Sequence, residues 1–264
     1  MGRYLQLLKL QLRTSALLAA QYRWDFLIDG LISLVWAATA IAPLLIVYSG
    51  RSQTMIPGWS MNEALVVTGW FILLQAILEG AINPGLQAVV DHIRKGTLDF
   101  VLLKPADAQF LVSTSRFQLW RVVSVGTGIA VFFIAFGRMG RAPSPAGLAQ
   151  ATVLLCTATL VLYSMWILIV STAFYVVKVD NLTYMFSSIF DAARWPSSVF
   201  RGVLKAVFTF VIPLALMTTW PAEALLGRLE PVTLVYAIAA SLGFAAASRT
   251  VWLLSLRRYA SAGG

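Results

Sequence analysis

Residues 147–177 read GLAQATVLLCTATLVLYSMWILIVSTAFYVV, 31 residues without a single charge. A helix rising about 1.5 Å per residue crosses the roughly 30 Å hydrocarbon layer in about 20 residues. This stretch exceeds one crossing, so it predicts a membrane helix that tilts or projects beyond the bilayer. Similar runs lie to either side of it. Phe26–Tyr48 has only Asp29 charged, near one end, and Ala64–Ile82 is interrupted only by Glu79. Phe117–Phe136 has Arg121 close to its start, and Pro231–Ser248 continues toward Leu256.

Composition agrees with lipid as the main solvent. Of 264 residues, 59% are hydrophobic and 12% charged, and the mean hydropathy is +0.80. Soluble domains carry about 25% charge, and a chain this apolar lacks the polar surface to face water as one globule. A water-soluble enzyme, a disordered tail and a secreted disulfide domain are excluded. The formal charge of +9 would suggest nucleic acid in a soluble protein. Here no basic run is long enough for that, and the excess matches the Lys/Arg bias of cytoplasmic loops. Cys156 is alone, so no intrachain disulfide forms. The scattered Arg3, Lys9, Arg13 and Arg23 argue against a cleaved signal peptide.

Between Lys178 and Glu230 two arrangements stay open. Ala206–Ala222 is an uncharged run of 17 residues holding Pro213 and Pro221. It is either a short fifth span or a re-entrant hairpin, with the fifth span then formed by about Val179–Trp195. Both give six spans and both termini on one side. With the termini inside, the first arrangement puts 16 basic residues inside and four outside; the second gives 13 and seven. Both orient the termini to the cytoplasm. Residues 1–24 form a separate element, in which Gln6, Lys9 and Arg13 share a helical face. That pattern predicts an interfacial helix along the membrane surface. No internal repeat or linker divides residues 1–264, so one membrane domain is expected.

Catalytic groups are scarce. One histidine, His92, and one cysteine leave no material for histidine-pair metal sites or a Cys–His nucleophile. No phosphate-cradling G-x-x-x-x-G-K-[ST] loop occurs. His92 beside Asp91 reads as a solvated loop pair, and Asp191 with Arg194 as a local ion pair. The carboxylate of Glu79 within a span is costly and calls for a protein interior or a watery path. Gln75 lies one turn before it and Asn83 one turn after. This stripe either lines a translocation seam or stitches helices together by hydrogen bonds.

The loop over residues 86–116 carries the most specific pattern. Val90, Ile93 and Arg94 keep a helical period, Gly96 suits a left-handed helix end, and Pro105 stops a second short helix. Leu98, Val101 and Leu102 then share an apolar face, as a helix docking in another protein's groove requires. Arg94-Lys95-Gly96-Thr97-Leu98-Asp99, then Leu102 or Leu103, then Pro105, resembles the cytoplasmic loop of the permease subunits of type-2 ABC exporters. Their pattern is Arg–x–Gly–Thr–Leu–acid–x–x–Leu–x–x–Pro. Trp195-Pro196, Val211-Ile212-Pro213 and Trp220-Pro221 look like that family's re-entrant segment, placed here over 196–222. The ending Arg258-Tyr259-Ala260-Ser261-Ala262-Gly263 is similar to a bacterial branch often encoded as paired permeases.

The resemblance implies an all-α membrane protein: an interfacial helix, six spans, a cytoplasmic coupling helix and a re-entrant hairpin before the last span. It implies a non-catalytic transport subunit in a bacterial cytoplasmic membrane. ATP and Mg would sit on separate ABC ATPase subunits that dock on Arg94–Pro105. A second permease chain, identical or related, and membrane lipids would be the other partners, with no nucleic acid. An amphipathic, lipid-like or drug-like substrate would leave the cytoplasm or inner leaflet, with Gln75, Glu79 and Asn83 as candidate pathway residues. A membrane scaffold recruiting a cytoplasmic partner through the same loop is the alternative. An ion-coupled carrier would want more intramembrane carboxylates and an internal repeat.

Overall fold

The structure, a computed structural model, describes residues 2–21, 23–49, 56–175 and 180–259. The described residues are all-α, with no strand longer than the single bridge between Ile56 and Trp59. Among the described residues five helices are long and apolar enough to cross a membrane: Leu27–Tyr48, Met61–Arg94, Leu119–Met139, Pro145–Phe174 and Pro231–Leu256. The chain is therefore a multi-pass membrane protein. The charge-free stretch at 147–177 falls in the fourth of these, and residues 176–177 lie outside the described residues.

In chain order the helices are α1 (Gly2–Gln21), α2 (Arg23–Tyr48), α3 (Met61–Ile77) and α4 (Asn83–Arg94), the last two joined by a π-turn at Leu78–Ile82. Next come α5 (Asp99–Leu102), α6 (Ala108–Ser113), α7 (Val122–Met139), α8 (Pro145–Ser171) and α9 (Asp180–Phe190). Short α10 (Gly202–Ala206) and α11 (Trp220–Leu225) precede the last helix, α12 (Pro231–Leu256). Local sequence sets several starts. Ser60 and Glu63 form a reciprocal capping box on α3. Ser144 caps α8 with Pro145 in its first turn, and Pro231 opens α12.

The core runs along α3, which packs on α7, and along α8, which packs on α12. The α3–α7 crossing is close because it is built from glycines. A Cβ on Gly69 would lie 2.7 Å from the Phe132 ring, and one on Gly128 would lie 3.2 Å from the Gly69 carbonyl. Between lipid-soaked helices, such small-residue contacts supply the van der Waals attraction that a hydrophobic effect cannot. Not every aromatic near a span end sits in an interfacial belt. Trp252 is fully buried with its ring 5.7 Å from that of Phe174, and Trp59 is buried too, while Trp24 is exposed. Trp70 and Trp166 are core, whereas Trp36 and Phe133 face outward and Phe132 packs at partial exposure against Trp70.

The segment before α12 resolves into broken helices. α9 ends in a tight turn at Asp191–Arg194, Trp195–Pro196 breaks the chain, and Ile212–Pro213 breaks it again. Residues near both ends of the 197–228 stretch touch the Met61 end of the bundle. Ser198 Oγ donates to the Pro57 carbonyl at 3.5 Å, and Arg228 Nη1 donates to the Gly58 carbonyl at 3.3 Å. In between, Thr218 donates to the Ala193 carbonyl at 2.8 Å, deeper in the bundle.

Helix α1 does more than lie beside the spans. The Tyr4 hydroxyl accepts from the Asp107 N–H at 3.3 Å, Gln11 donates to the Leu111 carbonyl at 3.4 Å, and Ser15 Oγ accepts from the Phe117 N–H at 3.2 Å. Its polar face Gln6, Lys9 and Arg13 is exposed, as its spacing predicts, but the opposite side clasps the 107–117 segment.

Candidate functional site

The loop at the Arg94 end is a compact, hydrogen-bonded corner. α4 stops at Arg94, and Gly96 takes φ +64°, the left-handed conformation its position predicts. Thr97 N–H donates to the His92 carbonyl at 2.9 Å, and the His92 ring meets Thr97 Oγ1 at 2.8 Å. His92 is thus no solvated loop partner of Asp91; it braces the turn. α5 comes next, and its backbone closes with Leu103 N–H on the Asp99 carbonyl at 2.9 Å.

Burial reassigns the apolar face of this corner. Leu98 and Val101, expected to face a partner, are buried against this chain's own core. The exposed apolar side chains are Phe100 at 69%, Leu103 at 80% and Leu102 at 40%. Arg94, Lys95, Lys104 and Pro105 surround them at the surface. A four-residue helix has two sides, and the side with the better period packs inward because α6 lies there. Phe100 escapes a search for three- and four-residue apolar spacing; the exposed doublet Leu102–Leu103 is the signal that could have found it.

The loop is anchored to the spans through polar groups. Asp107 caps α6 by accepting from the Phe110 N–H at 3.0 Å. Its Oδ2 also accepts from Arg249 Nη2 at 2.5 Å, and Arg249 Nη1 donates to Gln109 Oε1 at 2.7 Å. Partial burial alone would push the Asp107 carboxyl up. The Arg249 guanidinium and the Phe110 and Gln109 N–H groups outweigh it and hold the carboxyl below its usual range. Gln109 Nε2 and Ser113 Oγ both meet the Tyr163 hydroxyl of α8, at 3.0 and 2.8 Å. The loop is therefore tied to two spans.

A second polar cluster lies between helices. Glu79, in the π-turn, is paired with Arg121 and accepts from Gln75 Nε2 at 3.4 Å. Gln75 thus joins Glu79 as its spacing predicts. Asn83 does not bond to them, and its Oδ1 is buried without a partner among the described residues. Arg121 is a member that loop counting missed. It sits at the α7 start, where Gln118 N–H donates to the Gly80 carbonyl at 2.8 Å and seats that junction against the π-turn. A second pair, Arg194 with Asp191 at 3.3 Å, faces the same space. A cavity of about 220 Å³ is lined by both pairs together with Gln75, Trp36 and Phe71. Arg194 reaches it over the Phe71 ring, 5.2 Å from the centroid. Depth sharpens this: Thr68 bonds the Arg194 carbonyl at 3.4 Å, seven residues or about 10 Å into α3.

The chain thus carries a hydrogen-bonded corner at the Arg94 end and a polar cavity among apolar spans. Across residues 34–263 the sequence matches the family described as ABC-2 family transporter protein. The chain belongs to the ABC-2 transporter family. No curated protein matches it significantly. An ABC-2 permease is the membrane component of an ABC transporter, and the family generally works with ABC ATPase partners. Among the described residues no group of three or more His, Cys, Asp or Glu side chains is placed to hold a metal ion. The ABC-2 assignment spans α3 through α12, so both the corner and the cavity belong to the matched region.

Proposed function

We propose that this chain is the non-catalytic permease subunit of an ATP-driven exporter, and that separate ABC ATPase subunits dock on its 94–105 corner. The observation that carries this is the exposed trio Phe100, Leu102 and Leu103 on a corner continuous with α3–α4 and tied to α8 and α12. Large apolar side chains in a basic, water-facing loop are costly unless a partner covers them. Because Leu98 and Val101 root the corner in the core, a push on α5 reaches the spans without a flexible link. ATP and Mg belong to the partner, and the Arg94 end with both termini faces the cytoplasm of a bacterial inner membrane.

The same reading places Pro196–Ala222 as a re-entrant segment before the last span, with α9 and its terminal turn completing six crossings. Its support is that Ser198 and Arg228 both bond the Pro57–Gly58 turn before α3. A second permease chain covers the α2–α9 side. There Asp191 is half exposed well inside the bundle's length, and lipid is a poor neighbour for a charge. Substrate then moves along this covered polar seam.

The test is co-purification of the permease with its co-expressed ATPase. Phe100→Ser combined with Leu103→Ser removes two exposed anchors without touching the core. It should weaken capture more than about tenfold while the permease elutes and melts as before. Unchanged capture would place the ATPase elsewhere. Gly96→Pro, incompatible with φ +64°, should leave the spans folded but uncouple ATP hydrolysis from transport.

A further inference from the structure

The cavity beside Glu79 has a neighbour. A second space of about 630 Å³ lies toward the Arg94 end, lined by Asp29, Pro84, Gln87, Asp91, Arg116 and Trp120 among others. The same rods wall both. The upper space uses Ser33 to Ala40 of α2 and Phe71 to Glu79 of α3; the lower uses Ile28 and Asp29 of α2 and Pro84 to Asp91 of α4. What lies between them on α3–α4 is the π-turn, with Gly80 pressed against Arg121 and bonded to Gln118. The Glu79–Arg121 pair therefore stands at the partition. π-turns inside helices mark functional positions often enough to make that placement informative.

We infer that the two spaces are consecutive chambers of one route, and that the Glu79–Arg121 pair is a partition opened by the zwitterionic head of an amphiphile. The inference rests on the permease reading above and names its substrate class.

Charge accounting selects the class. Among the described residues the upper chamber holds two carboxylates and two guanidiniums, a neutral but strongly dipolar lining. A purely cationic or anionic head entering it would leave one charge unpaired in a low-dielectric space. A zwitterion exchanges partners instead. Its ammonium takes the place of Arg121 on Glu79, and its phosphate or carboxylate takes the place of Glu79 on Arg121. No charge is left alone at any stage. Arg121 has donor capacity beyond its pair with Glu79: its Nε is buried and finds no acceptor among the described residues. An anionic oxygen brought by a ligand supplies one. The lower chamber likewise carries both signs, through Asp29, Asp91 and Arg116. The rims are apolar and aromatic, with Trp120 below and Trp36 and Phe71 above, as an acyl tail requires. The upper volume accommodates a head, not a whole lipid, so the tail stays outside between the helices.

The test uses the full chain in neutral dodecyl maltoside micelles. The probe is lysophosphatidylethanolamine with a photoreactive tail, set against the same tail ending in a lone phosphate or a lone amine. Labelling by the zwitterion should map to peptides containing Trp36 or Phe71 and exceed that by either control about tenfold, the scale of one charge-assisted hydrogen bond. The double variant E79Q/R121Q leaves no lone charge and should drop zwitterion labelling to the control level. Thr39→Trp, at an exposed residue lining the upper chamber, should abolish it by bulk alone and serves if the double variant does not fold. Equal labelling by the three heads, or labelling indifferent to these variants, overturns the inference. ATPase capture by the unmodified chain is scored separately. Its presence with no head preference refutes only the substrate class, and its absence refutes the permease reading.

Discussion

Helix α3 and its π-turn carry two carboxylates, Glu63 and Glu79, about 24 Å apart along one axis. Both are ion-paired with arginines, yet they sit in opposite kinds of surroundings. Glu63 closes its own helix by accepting from the Ser60 N–H at 3.0 Å, and it collects Arg228 and Arg141 from two other loops. It is buried. Glu79 has Gln75 and Arg121, stands in an irregular turn, and faces open space. A carboxylate that ties three segments together is part of the scaffold. One that lines a polar cavity has room to change partners. The ion pair alone does not separate these roles; its surroundings do.

The largest expected effect comes from that contrast. Glu63→Ala removes the capping box and strands two arginines, and should cost about 3 kcal/mol of stability. The estimate sits at the low end for a broken buried pair because both arginines are nearly half exposed. The measurement is thermal unfolding in detergent, with proteolysis of the Gly227–Pro231 turn as a local readout. E79Q/R121Q, by contrast, exchanges a charged pair for a neutral polar one of similar size. It should cost no more than about 1 kcal/mol while changing ligand binding. If the two variants melt alike, the proposed division between scaffold and partition fails.

The division also explains what the sequence could disclose. Spans are legible because a membrane helix needs a long uncharged run, a property of consecutive residues. The bounds of α8 and α12, the left-handed Gly96 and the Gln75–Glu79 contact are all set by local spacing. Arg121 was invisible as a pathway residue, since its partner lies 42 positions earlier and only the α3–α7 crossing brings them together. Asp191–Arg194 is a local pair, as its spacing predicts, but that spacing gives no hint that it shares a cavity with Glu79. The outward side of α5 differs from the one its helical period predicts, for a related reason. Helical period identifies an apolar face, but a short helix docked on its own bundle uses that face inward and leaves the less regular side to a partner. Arg51, Lys178 and the ending after Tyr259 lie outside the described residues.

A third pair extends the comparison to the Arg94 end and gives the smallest effect. Asp107 and Arg249 are each more than a third exposed, so solvent screens much of their attraction and the pair is worth less than about 1 kcal/mol. Asp107→Asn isolates the charge, because asparagine caps a helix as well as aspartate does. The folded carboxyl titrates below its ordinary value. Its contribution is therefore complete above the unfolded value of about 3.9 and fades as pH falls through the lower folded value. Melting temperatures of the two proteins should then differ by a constant small amount from pH 7 to pH 5 and converge only below about pH 4. Convergence already between pH 7 and pH 5 would mean that Asp107 is not held ionised by Arg249. The loop would then hang on α8 through Tyr163 and on α12 through the Arg249–Gln109 hydrogen bond, so the path by which a push on α5 reaches α12 would run through Gln109 and not through Asp107.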